Sequence, residues 1–410
     1  MSEPRPVLDG IRVIDFGWVW SAPMVSSSLS DLGAEVIKVE HRGRLDNSRL
    51  RGTPTVGPRV DGPAEELTPY SHQTNHGKLS FSADIKHPDG RALIRRLVDT
   101  ADVLVENLSP GVLARGGLAY EDLSESNPGL IMLSMSAVGQ DGPLSGMRAY
   151  APVMTSLSGA ESLVGYDDEP VVGMITFGFG DPNAASHALV ALMAALVQRE
   201  RTGRGQYIDM SQIEAMGGVL GEAIAELQVA GRDPGARGMR HPSLAPHGNY
   251  PCAGEDRWIA LAAADDEEWA RLAGALDADL AGDARFRHAE GRLRDRDALD
   301  AAIAAATVEH DRDELMARLR AARVSAAPLL GLEESLEDEH LRARGMFETV
   351  DHPVVGQHEV TRVAWRMSGT PARVRSPAPT VGQHTHDVAT RVLGLSPEEI
   401  ERHEASGALR

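Results

Sequence analysis

Cysteine is almost absent: Cys252 is the only one in 410 residues, which excludes an internal disulfide and a multi-cysteine metal site. No segment reaches about 18 uninterrupted apolar residues, the length a membrane-spanning helix needs. The start, Met1-Ser2-Glu3-Pro4-Arg5-Pro6, has no apolar secretory core, so a soluble cytoplasmic protein is the expectation. Positive charge is also scarce. With 41 basic and 60 acidic side chains the formal charge is −19, which argues against nucleic acid or an anionic membrane as the main partner. A polyanionic ligand would then need a local basic cluster. His41, Arg42, Arg44, Arg49 and Arg51 supply one, read either as a solvated loop or as a forked grip on phosphates.

The chain is long enough for two domains with substantial cores. Gly10 to Phe16 reads as a strand, Met24 to Leu32 as a helix and Glu35 to Glu40 as a second strand, which predicts a parallel βαβ unit. Glu40 after the second strand invites a dinucleotide reading, yet the first turn has no G-x-G-x-x-G and so no pyrophosphate cradle. Further strands are expected at Ala101 to Leu108 and Leu130 to Met135.

Gly178-Phe179-Gly180-Asp181-Pro182, which follows Phe177, leads into a long apolar segment, Ala188 to Val197. Asp is a favoured N-cap and Pro is tolerated at the first helical position, so one reading is an ordinary capped helix. The other is that flanking glycines let a ligand approach the Asp181 carboxylate, which then acts as a nucleophile forming an acyl intermediate. Beyond Asp209, Gln212 to Leu227 reads as a helix, and the Gly/Pro/Arg-rich stretch Gly231 to Pro246 marks a boundary or linker. Tyr250 to Ala263 reads as strand-turn-strand, Asp265 to Ala275 as a helix, and Leu293 to Ala322 as two amphipathic helices. His241 with His247, and His384 with His386, have no third ligand nearby and read as structural; no metal site is expected.

The stretch after the long helix, Arg199-Glu200-Arg201-Thr202-Gly203-Arg204-Gly205-Gln206-Tyr207-Ile208-Asp209-Met210-Ser211, resembles a signature of the family III CoA-transferases (CaiB/BaiF; the formyl-CoA and carnitine CoA-transferase family). Similar stretches occur at residues 8–16, 32–40, 75–80, 84–86, 101–108, 136–143, 338–347 and 381–385. The resemblance implies that Asp181, at the start of the preceding helix, is the covalent nucleophile. It also implies CoA contacts from Trp18, Val19, Arg42, Asn75, Lys78, Asn107, Leu108, Arg115, Ser136, Gly139 and Gln140, with backbone N–H groups around Gly139 and Gln140 facing the developing oxyanion. Tyr150 stands where the related α-methylacyl-CoA racemases carry a proton-moving His, and a phenol with a reference pKa of about 10 is a poor base. His241 to His247 occupies the region of the formyl-CoA transferases' glycine-rich flap, without a glycine run.

The expected fold is α/β: a Rossmann-like large domain formed from both ends of the chain plus a smaller α+β domain. The expected boundaries are 1–225 for the N-terminal part of the large domain, 226–330 for the small domain and 331–410 for the returning C-terminal segment. An interlocked homodimer follows from the resemblance alone. The expected activity moves CoA from an acyl-CoA donor to a free carboxylic acid through an aspartyl intermediate, with CoA as substrate and no permanently bound cofactor. The alternatives are a racemase-like isomerase and a CoA-binding protein without turnover. Trp18 and Trp20 read equally as core or as the wall of a bulky acyl site.

Overall fold

The computed structural model describes residues 5–50, 60–166, 172–173, 178–276 and 278–410, so Arg51, Phe177 and the first four residues lie outside the described chain. There are two compact units: Met1–Glu161 with Met174–Arg232 and His340–Arg410, and Ser162–Gly173 with Asp233–Glu339.

The first unit is built on six strands: β1 (Arg12–Phe16), β2 (Glu35–Glu40), β3 (Lys78–Ser82), β4 (Val103–Glu106), β5 (Ile131–Ser136) and β6 (Tyr207–Ser211). All pair in parallel, in the order β3-β2-β1-β4-β5-β6. β-branched and aliphatic residues dominate β1, β2 and β4, as a sheet covered on both faces requires. One face packs Ile14, Ile37, Phe81 and Leu104 in a core that includes Leu93, Ile94 and Leu97 of the Pro88–Val98 helix and Val388 and Ile400 near the C-terminus. The other packs Val13, Val36, Val103 and Leu133 with residues of the Ser21–Asp31 and Gly180–Thr202 helices. The strand order reverses between β1 and β4, so the loops leaving their C-terminal ends diverge and open a crevice there. The C-terminal segment closes the β3 edge: Thr385 Oγ1 accepts the Ser82 N–H at 3.0 Å, and Leu409 bridges Ala83.

Polar side chains are buried under β1 to β3. Lys38 pairs with Asp46 at 3.0 Å, and Lys78 reaches Asp15 at 2.8 Å, the Pro23 carbonyl at 3.0 Å and Asn75 Oδ1 at 3.0 Å. Burial pushes the Lys78 ammonium down to about 8, against the attraction of Asp15.

The expected single helix from Gln212 to Leu227 is two, Gln212–Val219 and Gly221–Ala230. Gly217, Gly218 and Gly221 are the physical reason, since glycine inside a helix costs about 1 kcal/mol relative to alanine.

In the second unit β7 (His247–Pro251), β8 (Trp258–Ala262) and β9 (Ser325–Pro328) form an antiparallel sheet. Its core includes Trp269, Phe286, Leu299, Ile303 and Leu319. The 293–322 region holds helices at Arg296–Thr307 and Arg312–Ala321, preceded by a short one at Ala289–Arg294. The break falls at Asp311, whose carboxylate takes the N–H groups of Asp313 and Glu314 and starts a new helix. A last hairpin, β10 (Phe347–His352) with β11 (Gly356–Thr361), belongs to the first unit. Among the described residues no helix is long and apolar enough to cross a membrane.

Candidate active site

The chain leaves β1 into a tight loop, Gly17 to Trp20, before the Ser21–Asp31 helix begins. Three backbone donors of that loop meet side chains. Gly17 N–H donates to Asp15 Oδ1 at 2.6 Å, Trp18 N–H to Asn107 Oδ1 at 2.8 Å, and Val19 N–H to Asp46 Oδ1 at 2.8 Å. These bonds hold Val19 at φ +64°, a left-handed conformation that is uncommon for a β-branched residue and is tolerated only where surroundings impose it.

Asn107, just past β4, is the second clamp. Its Nδ2 donates to the Trp18 carbonyl at 2.8 Å and to Ser21 Oγ at 3.0 Å. A hydroxyl that accepts from one partner keeps its own proton for another. Ser21 spends that proton on Asp181, which also receives the Ser21 backbone N–H. Asp181 lies in the first turn of the Gly180–Thr202 helix, with Phe179 as the N-cap residue and no side-chain cap bond. Of the two readings of Asp181, the capped helix is not what forms: its carboxylate is turned to Ser21. Burial pushes it up to about 6, against the two Ser21 bonds. Gly178 permits this packing, since a Cβ there would stand 2.7 Å from the Trp20 ring and 3.0 Å from Ala151.

Asp181 opens on a cavity of about 600 Å³ at the β1/β4 crevice. Trp18, Val19, Asn107, Leu108, Arg115 and Ser136 line it too, so these expected site residues come together. Others do not. Arg42 donates Nη2 to the Val381 carbonyl at 2.7 Å and is absent from the wall. Asn75 and Lys78 are buried in the polar network under the sheet, where the Lys78 ammonium already has three oxygen partners. The Gln140 N–H donates to both Asp209 carboxylate oxygens at 3.1 Å, so it is spent and is no oxyanion donor; Gly139 is likewise off the wall. Arg49 is buried between Glu40 and Glu66, both at 2.9 Å, which gives Glu40 a structural role.

The cavity's positive charge comes instead from Arg44, Lys86, Arg115 and Arg148. The Arg44 guanidinium lies 4.9 Å from the centroid of the Trp18 ring, a cation–π contact. Sequence reasoning missed Ser21, Lys86, Arg148 and Gln212 as wall residues, and named Arg44 only as part of a cluster. Spacing alone carried no signal for Ser21, which a β1 loop brings to a helix 160 residues later in the chain. Of the two tryptophans only Trp18 faces the cavity; Trp20 packs edge-on against Tyr70 at 5.4 Å. Tyr150 lines the wall, with Asn47 Nδ2 3.5 Å from its hydroxyl.

A partly buried carboxylate in a crevice at a sheet's switch point, with Arg44, Lys86, Arg115 and Arg148 in the wall beside Glu40 and Asp84, suits a protein that acts on a small molecule carrying negative charge. The chain belongs to CoA-transferase family III, whose family model matches residues 8–385. It is 33% identical to the succinyl-CoA–D-citramalate CoA-transferase of Chloroflexus aurantiacus, over 97% of this chain and 96% of that one. It is 34% identical to the succinate–glutarate CoA-transferase of Agrobacterium fabrum, over 98% of both. A CaiB/BaiF family protein from Brucella suis has a similar crystal structure, with a TM-score of 0.85 and 32% identity, covering 95% of this chain and 100% of that one. The chain is a CoA-transferase, moving CoA between an acyl-CoA and a carboxylic acid.

Proposed function

We propose that Asp181 is the nucleophile of this transfer and that the reaction runs from succinyl-CoA to a dicarboxylic acid. The supporting observation is the Asn107–Ser21–Asp181 chain of hydrogen bonds, which presents one carboxylate at the head of a helix in a cationic cavity. Asp181 attacks the thioester carbonyl, giving a mixed anhydride and CoA thiolate. The thiolate then attacks the Asp181 carbonyl of the anhydride, releasing the donor acid and leaving an aspartyl-CoA thioester. The acceptor carboxylate repeats these two steps in reverse order, regenerating Asp181. The positive end of the Gly180–Thr202 helix favours the anionic nucleophile. A pKa near 6 leaves Asp181 ionised at neutral pH yet more basic than an ordinary carboxylate.

Arg44, Lys86, Arg115 and Arg148 are assigned to the CoA phosphates and the substrate carboxylates. The dicarboxylic class rests on the relatives, named for transfer from succinyl-CoA to D-citramalate or L-malate and between succinate and glutarate. The strand order supports a Rossmann-like description of the larger unit, and the chemistry asks for no permanent cofactor. A single, buried Cys252 fits a cytoplasmic location. A homodimer, interlocked as in the family, is supported by apolar side chains left exposed on the first unit, notably Val190 at 72% and Val229 at 88%. A stable, active monomer in light scattering would remove that part of the reading.

The test of the nucleophile is chemical. Acyl-CoA without acceptor, quenched with hydroxylamine, should leave a hydroxamate on the peptide containing Gly180-Asp181-Pro182. Absence of the adduct in an enzyme that still transfers CoA would refute the assignment.

A further inference from the structure

We infer that Arg148 binds the second, unreacted carboxylate of a dicarboxylic acid held at Asp181, and so sets a preference for diacids over monoacids. The inference rests on the transfer reading above and ties its substrate class to one residue. Four cations line the cavity: Arg44, Lys86, Arg115 and Arg148. Lys86 follows β3 and Arg115 follows β4, and their turns pack together, since a Cβ on Gly116 would stand 2.9 Å from Ile85 Cδ1. Ile85 and Leu113, their near neighbours in the chain, join the core that includes Phe81 and Leu104. That core lies on the sheet face away from the Gly180–Thr202 helix, whose apolar residues pack on the other.

Arg148 enters from the Asp181 side. It precedes the Ala151–Leu157 helix, and that helix packs on the residue before Asp181: a Cβ on Gly180 would stand 3.4 Å from Met154 Cε and 3.9 Å from the Ala151 carbonyl oxygen. Arg44 reaches the cavity from the loop after β2, but its guanidinium is stacked 4.9 Å from the centroid of the Trp18 ring, which fixes its place. Arg148 is exposed, and among the described residues its guanidinium has no hydrogen bond, ion pair or ring contact. Its charge is unmet and its arm is unanchored.

The ligand's chemistry follows from the order of the steps. Donor and acceptor acids react in turn with one carboxylate, so a single site serves both. While one end of a diacid is joined to Asp181, its far end remains a charged carboxylate, which is costly to bring out of water without a counter-charge. A guanidinium offers two parallel N–H donors to such a group. Succinate and glutarate differ by one methylene, and an unanchored arm follows both lengths. Tyr150, two residues on, and Asn47 add polar groups to the same wall, with Asn47 Nδ2 3.5 Å from the Tyr150 hydroxyl.

The experiment replaces the far carboxylate by a methyl group. Glutarate is compared with valerate as acceptor, with succinyl-CoA as donor and mass detection of the new acyl-CoA. The diacid is expected to have a kcat/KM at least about tenfold higher, the scale of one charge-assisted pair of bonds. Arg148→Gln should shrink that ratio to within about threefold, measured within one protein so that folding losses cancel. Arg148→Lys, which keeps the charge without the fork, should restore part of it. In Arg148→Gln the KM for succinyl-CoA should rise about tenfold, whereas calorimetric binding of butyryl-CoA, which lacks the second carboxylate, should stay within about twofold. An equal loss for butyryl-CoA would place Arg148 on the CoA phosphates and overturn the inference, as would a wild-type preference that survives intact in Arg148→Gln. A wild-type ratio near one refutes the diacid reading and the inference with it. Transfer to no acid of any kind, by protein that binds acyl-CoA, would instead refute the transfer reading on which both stand.

Discussion

Asp181→Asn should make the protein inactive and more stable at once, with a pH dependence that identifies the cause. Burial raises the folded-state pKa of Asp181 from 3.8 to about 6. The folded chain therefore holds a proton between these values that the unfolded chain has lost, and stability falls as pH rises through that window. Two units at about 1.36 kcal/mol each give a ceiling of about 3 kcal/mol. The carboxylate also faces cavity water, which screens it, so about 1–2 kcal/mol is expected at neutral pH. Asparagine keeps an oxygen to accept from Ser21 but never ionises. Melts of the two proteins from pH 4 to 8 should nearly coincide at pH 4, draw apart between pH 4 and 6 with the variant higher, and keep a level gap above that. Covalent capture of an acyl group should vanish in the variant, while wild-type kcat rises through about pH 6. A gap that is constant with pH, or that widens towards acid, would show that the ionised carboxylate is not the strained group.

The phosphate grip separates Arg44 from Arg42: Arg44→Ala should raise KM for the acyl-CoA by roughly an order of magnitude, with the loss greater at low salt. Arg42→Ala, which removes only a bond to the Val381 carbonyl, should leave KM within about twofold; equal effects would refute the placement. Asp46→Ala removes the ion-pair partner of the buried Lys38 ammonium, leaving it the Gly17 carbonyl at 2.6 Å, and should cost about 3 kcal/mol, read by urea denaturation; a loss below about 1 kcal/mol would contradict the pairing. His72 and His352 pack edge to face at 4.5 Å, with His358 4.9 Å from His72 and the buried Arg49 nearby. Burial, more than these neighbours, pushes His72 and His352 down to about 4. Their stabilisation is complete above about pH 6.5 and is lost as pH falls towards 4, because the unfolded chain takes up protons first. His72→Gln should flatten that acid slope in thermal melts, and an unchanged slope would exclude the cluster as its source.

Most of the sheet was legible because its signals are local. β-branched runs at Arg12–Phe16 and Glu35–Glu40 follow from a period and a turn, and the structure places both strands there. The site was legible through the family resemblance, which carried Trp18, Val19, Asn107, Leu108, Arg115 and Ser136 to the cavity wall. Arg42 and Arg44 are two residues apart in one basic loop, and nothing local says which guanidinium reaches the cavity; the Val381 carbonyl, from the far end of the chain, decides it. Lys78 and Asn75 share this limit. Their types suit a phosphate site, and only the tertiary burial of Asp15 claims them for the core. Ser21 and Gln212 left no trace because short polar residues beside strands are common, and what distinguishes these two is what they meet across the fold.

Three features that hold only because their surroundings compensate them meet at one loop. Val19 is held at a left-handed φ, Lys38 and Asp46 are charges buried beneath it, and Asp181 keeps a carboxylate where burial disfavours it. A chain under selection for stability alone would relax each of them with a glycine, an apolar pair and an asparagine. They are coupled instead: Lys38 fixes Asp46, Asp46 fixes the Val19 amide, and the same loop presents Ser21 to Asp181. The strain therefore sits on a path that ends at the Asp181 carboxylate, the proposed nucleophile. This is what positioning a nucleophile before the substrate arrives requires, and a helix cap with no chemistry to perform would have no need of it.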